Sequence, residues 1–153
     1  MCIIIDEDVA SLVFRDPPHT NFHAALNWLT HSKKNGKLVY GGTLKEKLFN
    51  ITAARRFILE LNRNGRLNIV AESEFRKELE SVEGSKSCRS NDTCVIALAR
   101  LSGARTLCTN DKDLMRDFTN PKLIRPKGKI YKNKSYRNKE LNNLLRHTQS
   151  CKQ

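Results

Sequence analysis

The chain reads as an α/β protein of three layers, α/β/α, with a central and mainly parallel sheet and a basic extension at its C-terminal end. Three observations predict this. Met1 to Ile5 is an unbroken apolar run, as a parallel strand buried on both faces requires. Ser90 to Leu114 reads as an apolar helix, a glycine stop at Gly103 and a short buried strand at Thr106 to Thr109. Between these two stretches, short β-type runs alternate with helical periodicity, the pattern of repeated βαβ units.

The elements follow in order. Val9 to Phe14 predicts a short helix halted by Pro17 and Pro18, because proline removes an amide donor and restricts the residue before it. Thr20 is placed to cap a helix whose apolar positions Phe22, Ala25, Leu26 and Leu29 keep helical spacing, with Asn35-Gly36 as its stop and Trp28 in the core. Leu38 to Tyr40 predicts a second strand and Gly41-Gly42 a turn at its end. Leu44, Leu48, Ile51, Ala54, Ile58 and Leu61 then outline one long helix closing at Asn64-Gly65. Leu67 to Ala71 reads as a third strand, and Glu74 to Val82 as a charged helix with Phe75, Leu79 and Val82 on one side. Gly84 to Arg89 is a polar loop leading into the helix that holds Asp92. Asp113 to Phe118 predicts another short helix, and Leu123-Ile124 a last parallel strand.

These elements divide the chain into a core domain, 1–125, and an extension, 126–153, with helical spacing at Leu141, Leu144 and Leu145. A chain of 153 residues is about one domain long. Lysine and arginine number 28 against 16 acids, a net charge of +12, and the extension alone supplies +7 of it. A polyanion is the natural partner for such a surface. The five cysteines show no C-x-x-C pair and no histidine at zinc spacing, and Cys2, Cys94 and Cys108 stand in apolar runs where cysteine serves as a small hydrophobe. That usage predicts a reducing, cytoplasmic setting. No stretch is long enough to span a membrane, and the acids following Ile5 exclude a signal peptide.

The informative acids fall where strands end and helices begin. Asp6, Glu7 and Asp8 close the first apolar run, Asp92 opens the helix after the loop, and Asp111 and Asp113 follow the strand that ends at Thr109. In a wound parallel sheet all these positions share one edge, the edge that binds ligands. Each acid also has a structural explanation as a turn residue, helix cap or first-turn charge. For Glu46 that explanation is complete, since Thr43-Leu44-Lys45-Glu46 matches a capping box. Clustering is what the structural explanations leave out, because like charges repel unless a cation or a proton lies between them. Thr109 and Asn110 are suited to orienting a carboxylate or to plain turn duty.

The apolar strand ending in Asp6, the acid early in a later helix, the Asn91-Asp92 opening of an apolar helix, and Ser102-Gly103-Ala104 followed by Leu107-Cys-Thr-Asn-Asp-Lys-Asp-Leu114 together resemble the PIN-domain nucleases over roughly residues 1 to 125. The resemblance implies catalytic acids at Asp6, Glu46, Asp92 and Asp111, with Asp6, Asp92, Asp111 and Asp113 holding Mg²⁺ or Mn²⁺. Hydrolysis of RNA by a metal-activated water is the activity it implies, and an inhibitory protein or self-association is a possible further contact. Substrate would be drawn in by Lys45, Lys47, Arg55, Arg56, Lys86 and Arg89, and by Lys127, Lys129, Lys132 and Arg137 of the extension, where Tyr131 and Tyr136 are placed to stack on bases. Two other readings stand beside it. One is an RNA-binding protein on the same fold without catalysis. The other is a phosphohydrolase with Asp6 as nucleophile and Asp8 as acid.

Overall fold

The computed structural model describes residues 1–31, 36–131 and 151–152. Strand β1 (Cys2–Ile5) lies at the centre of a five-stranded sheet of order β3-β2-β1-β4-β5, completed by β2 (Lys37–Tyr40), β3 (Leu67–Ile69), β4 (Thr106–Cys108) and β5 (Lys129–Tyr131). Every pairing is parallel. The helices are α1 (Glu7–Val13), α2 (His23–Thr30), α3 (Gly42–Phe49), α4 (Thr52–Arg63), α5 (Glu72–Gly84), α6 (Thr93–Ser102) and α7 (Lys112–Phe118), and a 3-10 turn at Thr20–Phe22 leads into α2. The strand order reverses direction at β1, so right-handed connections put the helices before β3 and those after it on opposite faces. The result is the three-layer α/β arrangement.

Cys2, Ile3, Ile4 and Ile5 have no exposed surface, and burial of such a side chain stabilises by about 1.5–3 kcal/mol. Val9, Ala10 and Val13 bury one side of α1, and Val95 to Ala99 bury most of α6, which ends on the left-handed Gly103 as its sequence predicts. Trp28 is a core residue, 4% exposed.

Several elements depart from the sequence reading. The long helix divides into α3 and α4 at Asn50-Ile51, where Ile51 is extended and the Arg55 Nε donates to the Phe49 carbonyl at 2.7 Å. Apolar spacing passes through the break undisturbed, so periodicity alone does not reveal it. The expected capping box at Thr43 and Glu46 is not formed, because α3 is capped from Gly41, two residues before Thr43, with no side-chain cap. The cap before α2 belongs to His19, whose Nδ1 accepts from the Asn21 amide, and not to Thr20. Helix α2 stops at Thr30, short of Asn35-Gly36. The last strand is Lys129–Tyr131 and not Leu123-Ile124, so the sheet draws on residues beyond position 125. Tyr131 is fully buried, stacked on Phe22 and donating its hydroxyl to the Asn21 carbonyl, and has no face left for a base.

Cys2 is not a lone hydrophobe. It is joined by a disulfide to Cys151, with 5.3 Å between Cα atoms. The pair is separated by 149 positions, a relation no local spacing reveals. Because disulfides persist in oxidising surroundings, cysteine usage no longer argues for a reducing interior. Among the described residues no helix is long and apolar enough to cross a membrane. Lys132, Tyr136, Arg137, Leu141, Leu144 and Leu145 lie outside the described residues.

Gly42 opens α3 with φ of +52°, and a Cβ built there would stand 2.4 Å from the buried Phe75 ring. Both the left-handed backbone and the contact reject a side chain. Gly42→Ala is expected to destabilise the fold by about 2 kcal/mol or more, read as a lowered midpoint in urea, whereas Gly65→Ala, with nothing within 4 Å, should cost less.

Candidate functional site

Register sets the site. Ile5 pairs with Cys108 across β1 and β4, and the ladder continues one step further with the Asp6 amide donating to the Cys108 carbonyl at 3.0 Å. Asp6 and Thr109 therefore emerge side by side at the carboxyl ends of the two central strands, where the strand order reverses. Thr109 Oγ1 donates to Asp6 Oδ2 at 2.9 Å, lies 3.4 Å from both oxygens of Asp8, and accepts from the Asp111 amide at 3.1 Å. The Asn110 amide donates to Asp8 at 2.9 Å. One hydroxyl thus ties three of the acidic residues together, through Asp6 and Asp8 side chains and the Asp111 backbone.

Asp6 is 5% exposed and also caps α1 through the Glu7 amide. Burial raises its pKa to about 7, the charges of Asp8 and Asp92 add to the rise, and the Thr109 and Glu7 hydrogen bonds oppose it. Asp92 occupies the N-cap position of α6, yet its side chain makes no capping bond, so the carboxylate is not consumed by the helix. Its pKa is raised chiefly by burial, then by the charge of Asp111 and a side-chain hydrogen bond with it, and by Glu7; Lys47 acts in the other direction. Asp111 has a double duty, since its Oδ1 caps α7 by accepting from the amides of Asp113 and Leu114 at 2.9 and 3.2 Å.

Asp6, Asp92 and Asp111, far apart in sequence, thus belong to one acidic edge, joined by Asp8. Asp113 is an exposed first-turn residue of α7 whose amide serves Asp111. Glu46 faces a shallow depression with Tyr40, Lys45, Phe49 and Asn50. It is its neighbour Lys47 that reaches the acids, 3.3 Å from Glu7 and close enough to act on Asp92. Burial opposes the Lys47 charge, and Glu7, Asp92 and Cys94 outweigh it and raise its pKa.

Comparison with known protein families, with curated proteins and with solved structures yields no match to this chain. The site is therefore read from its own chemistry. Among the described residues no three acidic, histidine or cysteine side chains converge closely enough to hold a metal ion by themselves. The donor set is nevertheless of the type a hard cation takes: all-oxygen, with Asp6 and Asp92 raised in pKa by burial and then by neighbouring carboxylates. Mg²⁺ and Mn²⁺ keep several waters and need only one or two direct carboxylates, which Asp6, Asp92 and Asp111 can supply.

Two contributors have other parts than the sequence predicts. Lys47, expected only among the cations that attract substrate, stands beside the acids at Glu7 and Asp92. The second is Asp117, which the sequence leaves as a solvated or outlying group. It is 2% exposed on α7 and accepts from the Arg89 amide at 3.0 and 3.1 Å, the Ser90 amide at 2.9 Å and the Ser90 hydroxyl at 2.7 Å. These bonds fix the turn that delivers Asp92. The signal available was its helical spacing with Leu114 and Phe118, which puts it partly inward, but its partners lie more than twenty positions away.

Of the expected phosphate-binding cations, Lys45, Arg55, Arg56, Lys86, Arg89, Lys127 and Lys129 are exposed. The Arg55 guanidinium lies 4.9 Å from the Phe49 ring and the Lys45 ammonium 6.0 Å from that of Tyr40, so this corner joins cations with aromatic surface.

The raised Asp6 pKa carries a signed consequence. A carboxyl with folded pKa about 7 binds more protons folded than unfolded between its ordinary value of 3.8 and 7, so its contribution to stability falls as pH rises through that window. Thermal melts between pH 5 and pH 8 should show this decline in chelator, a flatter profile in Asp6→Asn, and recovery of the wild-type protein at pH 8 when Mn²⁺ is added. Asp117→Ala leaves three buried or half-buried donors without a partner and is expected to cost about 3 kcal/mol in urea unfolding.

Proposed function

We propose that the protein is a divalent-cation-dependent ribonuclease that hydrolyses phosphodiester bonds with Asp6, Asp92 and Asp111 as the cation-holding acids. The observation that carries this reading is the meeting of Asp6, Asp8, Asp92 and Asp111 at the switch point of the sheet, with the pKa values of Asp6 and Asp92 raised. Such perturbed clusters mark reactive sites more often than structural ones. The likeness of Asp6, Asn91-Asp92 and Thr109-Asn110-Asp111 to the PIN-domain pattern supports the same conclusion.

When bound, Mg²⁺ or Mn²⁺ would supply an activated water and neutralise charge on phosphate oxygens. Thr109 orients the Asp6 carboxylate by its hydroxyl, and the turn held by Asp117 delivers the uncommitted Asp92 carboxylate. Lys47 offsets part of the negative charge beside Asp92. Lys45, Arg55 and Arg56 on α3 and α4, with Lys86 and Arg89, would take backbone phosphates, and their neighbours Phe49 and Tyr40 offer stacking surface.

A non-catalytic RNA-binding role is favoured by one observation, the ammonium of Lys47 standing near Asp92 where an acid was expected from Glu46. A phosphohydrolase using Asp6 as nucleophile is less well served. Asp6 is buried, and each of its oxygens already accepts a hydrogen bond.

Purified protein is expected to cut a fluorescein-labelled single-stranded RNA in Mn²⁺, and to stop in EDTA. Asp92→Asn should lower the rate at least ~100-fold, with circular dichroism and RNA affinity unchanged, while Glu46→Gln stays within about threefold of wild type. Undiminished cleavage by Asp92→Asn would remove that residue from the chemistry. RNA affinity without cleavage in any divalent cation would leave the binding role.

A further inference from the structure

At the opposite edge of the sheet the charge has the other sign. Arg105 immediately precedes β4, about 13 Å along the strand from Thr109 at ~3.3 Å per residue. It is 7% exposed. Nη1 donates to the carbonyls of Ala99 and Ala104, both at 2.8 Å, and Nη2 to that of Arg125 at 2.8 Å. Its Nε is buried with no hydrogen-bond partner among the described residues. Among the described residues the guanidinium is thus held by three neutral carbonyls and by no acid. The Ala99 bond has a plain explanation, since cations suit the last turn of a helix such as α6.

That explanation does not extend to what surrounds it. Arg105 lines a cleft of about 350 Å³ together with Arg100, Lys122, Leu123, Arg125, Lys152 and Glu78. Among the described residues five cations share this space with one acid, and that acid is already taken by Arg100 at 3.1 Å. The cations come from the end of α6, the start of β4, the turn after α7 and the end of the chain. Arg100 is fixed by donating Nε to the Leu123 carbonyl, and Arg125 by donating Nε to the Pro121 carbonyl. Lys152 is brought in from the end of the chain by the Cys2–Cys151 disulfide, by its amide on the Ser102 carbonyl at 2.7 Å, and by Asn68 Nδ2 on its own carbonyl at 3.2 Å. An anion entering here would meet the exposed Lys122, Arg125 and Lys152 around the buried guanidinium, a concentration of positive charge that favours it.

We propose that this cleft binds an anion carrying two or more linked phosphates, at a site separate from the acidic edge and independent of the nuclease reading. Guanidinium groups match phosphate oxygens in forked pairs, and the ammoniums of Lys122 and Lys152 supply point charge at the rim. Linked phosphates suit the cleft better than a single carboxylate, because the uncompensated charge is that of several cations spread over its lining.

The probe is inorganic tripolyphosphate, titrated calorimetrically into the full chain at low salt. Saturable binding of one equivalent is expected, weakened at least tenfold in Lys122→Glu/Arg125→Glu and unchanged in Asp92→Asn. Should the charge-reversed protein melt early, Lys122→Ala/Lys152→Ala, which changes two exposed ends only, is to be weakened likewise. Labelled single-stranded RNA separates the two sources of such phosphates. If the cleft holds a nucleic-acid backbone, tripolyphosphate competes with RNA, and the slope of log affinity against log salt becomes shallower by about 1.4 in the double variant, at ~0.7 per lost contact. If it holds a free oligophosphate, RNA affinity stays as it was while probe binding is lost. Binding of tripolyphosphate that is absent, or equal in wild type and both variants, overturns the proposal.

Discussion

The complete burial of β1 is the constraint on which the rest of the molecule depends. A strand at the centre of a parallel sheet has an apolar layer on each face and a hydrogen-bonded neighbour on each side, so Cys2 to Ile5 have no room for polar side chains. Polar chemistry is admitted only at the strand's two ends. At the carboxyl end the chain turns straight into Asp6, and at the amino end Cys2 is bonded to the C-terminal segment. The molecule is accordingly polarised along its strands, acidic where β1 and β4 finish and basic where β4 begins.

At the acidic end, four means of limiting repulsion act together. The pKa values of Asp6 and Asp92 are raised, chiefly by burial, which favours the protonated form of each. The Thr109 hydroxyl is shared between Asp6 and Asp8, backbone amides of Glu7, Asn110, Asp113 and Leu114 are turned toward carboxylates, and Lys47 lends a charge. Helix starts supply most of those amides, which is the electrostatic reason acids gather at this edge. Among the described residues, carboxylates at this edge outnumber the one ammonium, that of Lys47, which acts on them.

The basic extension is anchored at both described ends. Lys129–Tyr131 forms a sheet strand whose tyrosine closes the core against Phe22, and Cys151-Lys152 is held to β1, Ser102 and Asn68. Lys129 and Lys152 are therefore held at fixed points on the body, and Lys152 enters a cleft lined by residues remote from it in sequence.

The sequence by itself determined the layer architecture, the identity of the core strands and the edge at which Asp6, Asp92 and Asp111 would meet. These are legible because an apolar run, a helical period and an acid at a strand end are local patterns with local physical causes. The break at Asn50-Ile51 was not legible, since apolar spacing continues across it, nor was the choice of Lys129–Tyr131 over Leu123-Ile124 as the fifth strand, since both are short apolar segments. Only the tertiary structure decided that Lys47 and not Glu46 faces the acids, that Asp117 holds the Asp92 turn, that Cys2 meets Cys151, and that Arg105 is enclosed among cations. Each of those is a pairing across many residues of chain, and a pairing is set by the distances packing leaves between side chains, which no window of sequence contains.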